Sequence, residues 1–331
     1  AEHPIEDIQA YEYYLKANTE CFKMTEESIN QALRYLNSAL EITGDNAYIY
    51  SGLAWSYWWL VNIGVKHDEG IKLAEDNIKK ALELNPDLSI PHALSGWINM
   101  SFKGKIKLAA RDFKIAITKN PDDHDALIGI NYLYVVLTGH KHLATSSLEK
   151  LIKIDPLDSF VGIYKGYPHF YSGAFNKALT EWSKLYKLYP DVPLSWFYYT
   201  LGLAYNNRVD EVISLIDIKV KTFPDHILSK ILLMLKYALI NDTEKLNQIL
   251  TPELITTCKR DGMYSHHLAG IFAIANEKDQ ALDWLENAIN AGFINYPMLS
   301  EKDIFLENIR TEKRFKLLMK RVKKEWENFE E

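Results

Sequence analysis

Apolar residues recur along most of the chain at spacings of three and four, the mark of helices with one buried face. In "LAEDNIKKALELNP" the shared stripe is Ala74, Ile78 and Ala81. In "AARDFKIAITKNP" it is Ala109, Phe113 and Ala116, and in "KALTEWSKLYKLYP" it is Ala178, Trp182 and Leu185. Each stripe runs small, large, then usually small, so that a neighbouring helix can approach closely while the large residue fills the space beside it. A proline closes each of these helices, because proline cannot continue one. Pro86, Pro121, Pro156, Pro190 and Pro224 stand 35, 35, 34 and 34 residues apart. After the first four of these prolines a second helical stretch carries a glycine: Gly96, Gly129, Gly166 and Gly202. Glycine in a helix interior costs about 1 kcal/mol relative to alanine. Its recurrence therefore predicts close helix–helix contact. The repeating unit is helix A, turn, helix B, proline.

A unit of this length and pattern resembles the tetratricopeptide repeat. The resemblance is most specific in "GYPHFYSGAFNKALTEWSKLYKLYP", where Gly166, Gly173, Ala178 and Pro190 fall at the family spacing. Ala32–Asn46 reads as helix B of a first unit, with Gly44 in place of the closing proline, and His266–Gly292 as another A–B pair. Between them, Ile227–Leu250 is a degenerate unit recognised by phase. The chain is expected to be one all-α, right-handed superhelical solenoid of seven to eight helix-turn-helix units. Residues 1–31 form an N-terminal cap or first helix, 32–292 the repeats, and 293–331 a C-terminal capping helix pair. In such solenoids the A helices make most of a concave face.

Both ends extend the resemblance. "IQAYEYYLKANTECFKMTEESINQALRYLNSALEITGDNAYIYSGLAWSYWWL" resembles the start of tetratricopeptide regions in bacterial signalling proteins, and "INYPMLSEKDIFLENIRTEKRF" their usual end. Those proteins join repeats to a kinase, a nucleotide cyclase or a winged-helix regulator. The resemblance implies a sensing role, with the output domain outside this sequence.

Composition narrows the function. A net charge of −6 and a pI of about 6.0 argue against nucleic acid as the main partner, since phosphate neutralisation needs a basic face. The one basic concentration, "RTEKRFKLLMKRVKK", reads as the solvated face of a terminal helix, with a membrane-surface or partner contact as the alternative. Cys21 and Cys258 give no disulfide framework. No apolar run reaches membrane-spanning length, and a start at Ala1 without a signal-peptide pattern suggests a processed chain or a piece of a larger one, so that membrane attachment would need a missing anchor. Phosphate loops and nucleophile elbows are absent from the sequence. His140 with His142, and His266 with His267, lack metal-ligand spacing. The expected protein is a non-enzymatic binding module without cofactor or metal.

The ligand hypothesis comes from the aromatics, of which there are 20 Tyr, 13 Phe and 8 Trp. In "GLAWSYWWLVNIG", Trp55, Trp58 and Trp59 fall within one helical arc of about 100° and read as packing. Tyr57 lies on the other side and is a candidate for the open face. The segment "VNIGVKHDEG" reads as an extra loop, covering one end of the groove or lying over Trp58 and Trp59. Aligning each A helix on its glycine places Tyr57, Trp97, Tyr134, Tyr167, Tyr171, Trp196 and Tyr199 at inner positions. No Lys or Arg stands among those positions, so a carboxylate clamp for peptide C-termini is not expected. A face lined by rings with little charge suits a quaternary amine or a zwitterion, with Tyr hydroxyls and Asn206 serving its carboxylate. The alternative is a scaffold that binds a peptide or partner domain in the same groove.

Overall fold

The computed structural model describes residues 5–329. Among them are eighteen α-helices and no strand. The helices follow one another as antiparallel A–B pairs: α1 (Ile8–Cys21) with α2 (Glu26–Thr43), α3 (Ala47–Asn62) with α4 (His67–Leu84), α5 (Ser89–Ser101) with α6 (Ile106–Lys119). Then come α7 (His124–Asn131), running into the π-helical turn Tyr132–Leu137, with α8 (Thr145–Ile154), and α9 (Ser159–Phe170) with α10 (Phe175–Leu188). Next are α11 (Pro193–Tyr205) with α12 (Val209–Thr222), α13 (Ile227–Leu239) with α14 (Thr243–Ile249), α15 (Pro252–Arg260), and α16 (Gly262–Ile274) with α17 (Lys278–Asn290). A π-helical turn (Met298–Lys302), a 3-10 turn (Ile304–Ile309) and α18 (Lys313–Glu327) end the chain. The fold class is all-α, a tetratricopeptide-like solenoid. The contacts divide into two compact units: one runs to Asn99 and includes Leu108–Gly129, the other comprises Met100–Lys107 and the chain from Ile130 onward.

The recurrent glycines have the role that their phase predicts. A Cβ on Gly96 or Gly129 would stand 2.6 or 2.3 Å from the Phe113 ring, and one on Gly166 would stand 2.1 Å from Trp182 Nε1. In each case the large residue of a B helix occupies the space a side chain would need. A second period is visible in the backbone. The A-to-B turns hold a left-handed residue at Gly104, Gly139, Gly173, Asn207, Asn241 and Asn276, with φ between 57° and 79°. Gly and Asn are the residues that adopt this conformation at least cost.

In the first unit, α1 packs against α2, so that Ile8–Cys21 stands as helix A of a first pair. Thr25 and Ser28 form a capping box at the start of α2, and Asn46 caps α3 through Tyr48 N and Ile49 N. The loop expected across "VNIGVKHDEG" is not present. α3 runs to Asn62 and α4 starts at His67, leaving a four-residue turn, 63–66. Gly70 is helical, and a Cβ there would stand 2.5 Å from Val61, so this glycine marks a close helix approach rather than a turn.

In the second unit the degenerate repeat has a physical cause. Its B helix, α14, is cut short at Ile249 because Pro252 follows three residues later and starts α15 instead, capped by Thr251. Beyond α17 the chain turns inward. Phe293, Ile294 and Asn295 are buried. Ile294 N donates to Leu137 O at 2.8 Å, and Asn295 Nδ2 donates to Val135 O and Val136 O at 3.2 and 3.0 Å. The end of the π-helical turn leaves those carbonyls without helical partners. Gly139 makes room, since a Cβ there would stand 2.5 Å from Asn295 Oδ1.

Candidate functional site

The helices that carry the candidate aromatics are apolar on nearly every side. In α11 and α16 almost all positions are buried, and α3 has only its Tyr48, Trp55 and Tyr57 half-buried. A helix apolar all round is enclosed all round, which decides where the rings go.

Tyr57 and Trp97 belong to the first unit. Tyr57 is half-buried. Trp97 is buried in a tryptophan cluster: its ring lies 5.5 Å from Trp58 and 6.2 Å from Trp55, which in turn stacks on Trp58 at 4.9 Å. Its Nε1 donates to Asp125 O at 3.1 Å. The three tryptophans of α3 are thus packing.

The other five rings lie in the second unit. Tyr167 is enclosed by Tyr164, Tyr171 and Tyr198, with centroids at 5.0, 5.8 and 5.3 Å. Its hydroxyl donates to Tyr198 Oη at 2.5 Å, and Tyr198 donates to Met263 Sδ at 3.4 Å. Tyr171 packs against Phe293 of the inward-turning segment. Trp196 is fully buried, stacked at 6.0 Å on Phe223. Tyr199 is half-buried and stacks on Tyr186 at 4.8 Å. Tyr134 is half-buried, with Phe329 edge-on at 6.1 Å. Asn206 Nδ2 donates to Gly202 O and Phe175 O, so its amide fastens the α11–α12 turn to the preceding repeat.

Aligning α11 on Gly202 pointed to Trp196 and Tyr199, yet Phe197, Tyr198 and Tyr205 are the residues that meet α16 and the C-terminal segment. No sequence periodicity separates these faces, because both are apolar. The residues missed by the sequence form a buried polar centre. Asp303, fully buried, accepts from Tyr205 Oη at 2.9 Å, from His266 Nε2 at 2.7 Å and from Phe305 N at 3.0 Å. Burial alone would raise its pKa; the hydrogen bond and charge of His266, with the Tyr205 hydroxyl and the Phe305 amide, outweigh burial and hold it below the ordinary carboxylate value. The His266 ring stacks on Phe293 at 4.3 Å. Asp261, at the head of α16, accepts from Met263 N and Tyr264 N, and burial raises its pKa to about 6. Burial, then His266, depresses His267 to about 3. Burial also raises Tyr132, Tyr164, Tyr167, Tyr171 and Tyr264 well above the usual phenol value. A hint of this centre was present in the sequence: polar residues within otherwise apolar runs, such as "GMYSHHLAGIFAI".

Of the two histidines near the α7–α8 turn, His140 packs against the end of α18, stacking on Trp326 at 5.1 Å and on Phe329 at 5.9 Å. Both cysteines are free and buried; Cys21 lies 3.4 Å from Ser56 Oγ, and burial pushes its pKa up to about 11.

No family model matches the chain. Tetratricopeptide repeat protein 6 of Homo sapiens is 26% identical over 167 residues, which are 50% of this chain and 31% of that protein. The chain thus matches about a third of that relative's length. Among solved structures, a tetratricopeptide repeat protein from Parabacteroides merdae is similar at a TM-score of 0.46 and 12% identity, covering 84% of this chain and 99% of that one. PilW, a type IV pilus biogenesis factor, is similar at 0.45 and 14%, covering 74% and 100%. The human IFIT1 dimer with m7Gppp-AAAA is similar at 0.48 and 12%, covering 97% and 78%.

Proposed function

We propose that the chain is a non-enzymatic, tetratricopeptide-type scaffold that holds a polypeptide partner on its outer surface. The observation that supports this reading is the occupied interior of the second unit. There Tyr167 and Tyr171 are spent on Tyr198 and Phe293, so the inner A-helix rings serve the chain's own packing. Recognition then falls to exposed side chains. On the resemblance of both its ends, the module serves a bacterial signalling protein whose output domain lies outside this sequence. The competing reading is a small quaternary amine or zwitterion held at a half-buried ring, Tyr57 in the first unit, or Tyr134 or Tyr199 in the second.

Peptide-library selection on the immobilised chain, run beside a thermal-shift screen with betaine, choline and trimethylamine oxide, separates the two. Because a ligand that binds only the folded state raises its stability, the scaffold reading expects enriched peptides and no shift with the amines. A shift lost in Tyr57→Ala or Tyr199→Ala, with no peptide enriched, overturns it in favour of the small ligand.

A further inference from the structure

The basic stretch of the C-terminal helix does not simply face solvent. One side of α18, the last turn of α17 and the α5–α6 turn enclose a cleft of about 790 Å³ within the second unit. Two glycines bring its walls together. A Cβ on Gly104 would stand 3.0 Å from Asn290 O, and one on Gly292 would stand 2.7 Å from Ile106, both at positive φ. Lys107 Nζ donates to Asn328 O at 2.8 Å and links the third wall, across 221 residues of chain.

The lining has three chemistries. Its floor is apolar: Ile106, Ile289 and Ile294. Its rim is cationic, with Lys107, Lys320, Arg321 and Lys324 against the single carboxylate of Glu325. Arg321 pairs with Glu325 at 2.7 Å, and among the described residues the three lysines make no ion pair. Among the described residues the cleft therefore carries three lysines without a carboxylate partner, in a chain whose net charge is −6. Asn290 and Asn328 add side-chain amides, each able to donate to and accept from a peptide backbone.

We infer that this cleft is a docking site for an acidic polypeptide segment that carries apolar anchors. Carboxylates of the segment meet the lysine rim, apolar side chains fill the isoleucine floor, and the asparagine amides take up its main chain. The inference rests on the scaffold reading and names the chemistry of its partner. The occupant is read through side-chain carboxylates, so a free C-terminus is not needed.

The test uses the full chain and a short fluorescent peptide of alternating Glu and Leu, acetylated and amidated at its ends, with its Gln counterpart as control. Anisotropy should show binding that weakens as salt is raised, and the Gln peptide should bind at least about tenfold more weakly. Lys320→Glu with Lys324→Glu should weaken the Glu peptide by about tenfold or more. Lys79→Glu with Lys80→Glu, exposed on α4, should leave it unchanged. Circular dichroism and Tm confirm that both double variants fold. The inference is overturned by absent binding, by equal binding to the α18 variant, by equal binding of the Gln peptide, or by capture of anionic vesicles without the peptide. If library-selected peptides bind wild type and the α18 variant alike, the scaffold reading stands and this cleft does not.

Discussion

The two units lock their repeats in the same way and fill their interiors differently. In the first, Phe113 sits where Gly96 and Gly129 leave room, and the neighbouring interior is a cluster of four tryptophans. In the second, Trp182 sits against Gly166, and the interior is a set of tyrosines, histidines and carboxylates joined by hydrogen bonds. The first interior is held by apolar burial and ring geometry, which tolerate small shifts. The second places Asp303 and His266 out of water, where each group needs its specific partner. It is the less forgiving of the two, and it is the one the C-terminal segment enters.

Removing the lock itself should have the largest effect, and a similar one in each unit. Phe113→Ala and Trp182→Ala each delete a fully buried ring and should each cost about 4 kcal/mol in chemical denaturation. A cost below about 1 kcal/mol at either position would mean that the glycine contact is not what holds that pair of repeats.

Breaking the polar centre should come next. Asp303→Ala leaves His266 and Tyr205 buried without their acceptor and should cost about 3 kcal/mol. Trp58→Phe, which keeps the tryptophan cluster apolar, should cost less than about 1.5 kcal/mol. If the two losses were equal, the contrast between the interiors would fail.

A pH experiment sharpens the contrast at smaller amplitude. His267 is held near 3, below the roughly 6.5 of an unfolded histidine. The unfolded chain therefore binds a proton that the folded chain refuses. This contribution to stability is complete above about pH 6.5 and is lost as pH falls toward 3. Asp261, raised to about 6, acts in the opposite sense, favouring the fold as pH falls through the window from 6 to about 4. His267→Asn should therefore reduce the loss of stability between about pH 7 and 5 by about 2 kcal/mol, measured as the shift in denaturant midpoint. An unchanged slope in the variant would show that His267 does not titrate as its burial requires.

The smallest effect is expected at the turns. Asn207 has φ 58°, so Asn207→Ala should cost about 1 kcal/mol and Asn207→Gly only a few tenths. Equal costs for Ala and Gly would remove the backbone explanation of the second period.

The sequence by itself determined the period. Prolines at 34 or 35 residues, the glycine of most A helices and the large residue of the facing B helix specify antiparallel pairs, because steric exclusion between neighbouring helices is local and repeats with the pattern. Of the A-to-B turn residues only Gly173 was read from the sequence; the Gly and Asn from Gly104 to Asn276 form a second period that the backbone revealed, since a left-handed conformation selects for them. Only the tertiary structure decided which rings are interior and what fills the space beside them. α11 is apolar on all sides, so hydrophobic phase could not choose Tyr198 over Trp196. Asp303 and His266 stand 37 residues apart, and Asn295 meets Val135 across 160. Such pairings depend on how the backbone after α17 turns inward, and no periodic signal records a contact between residues so distant along the chain.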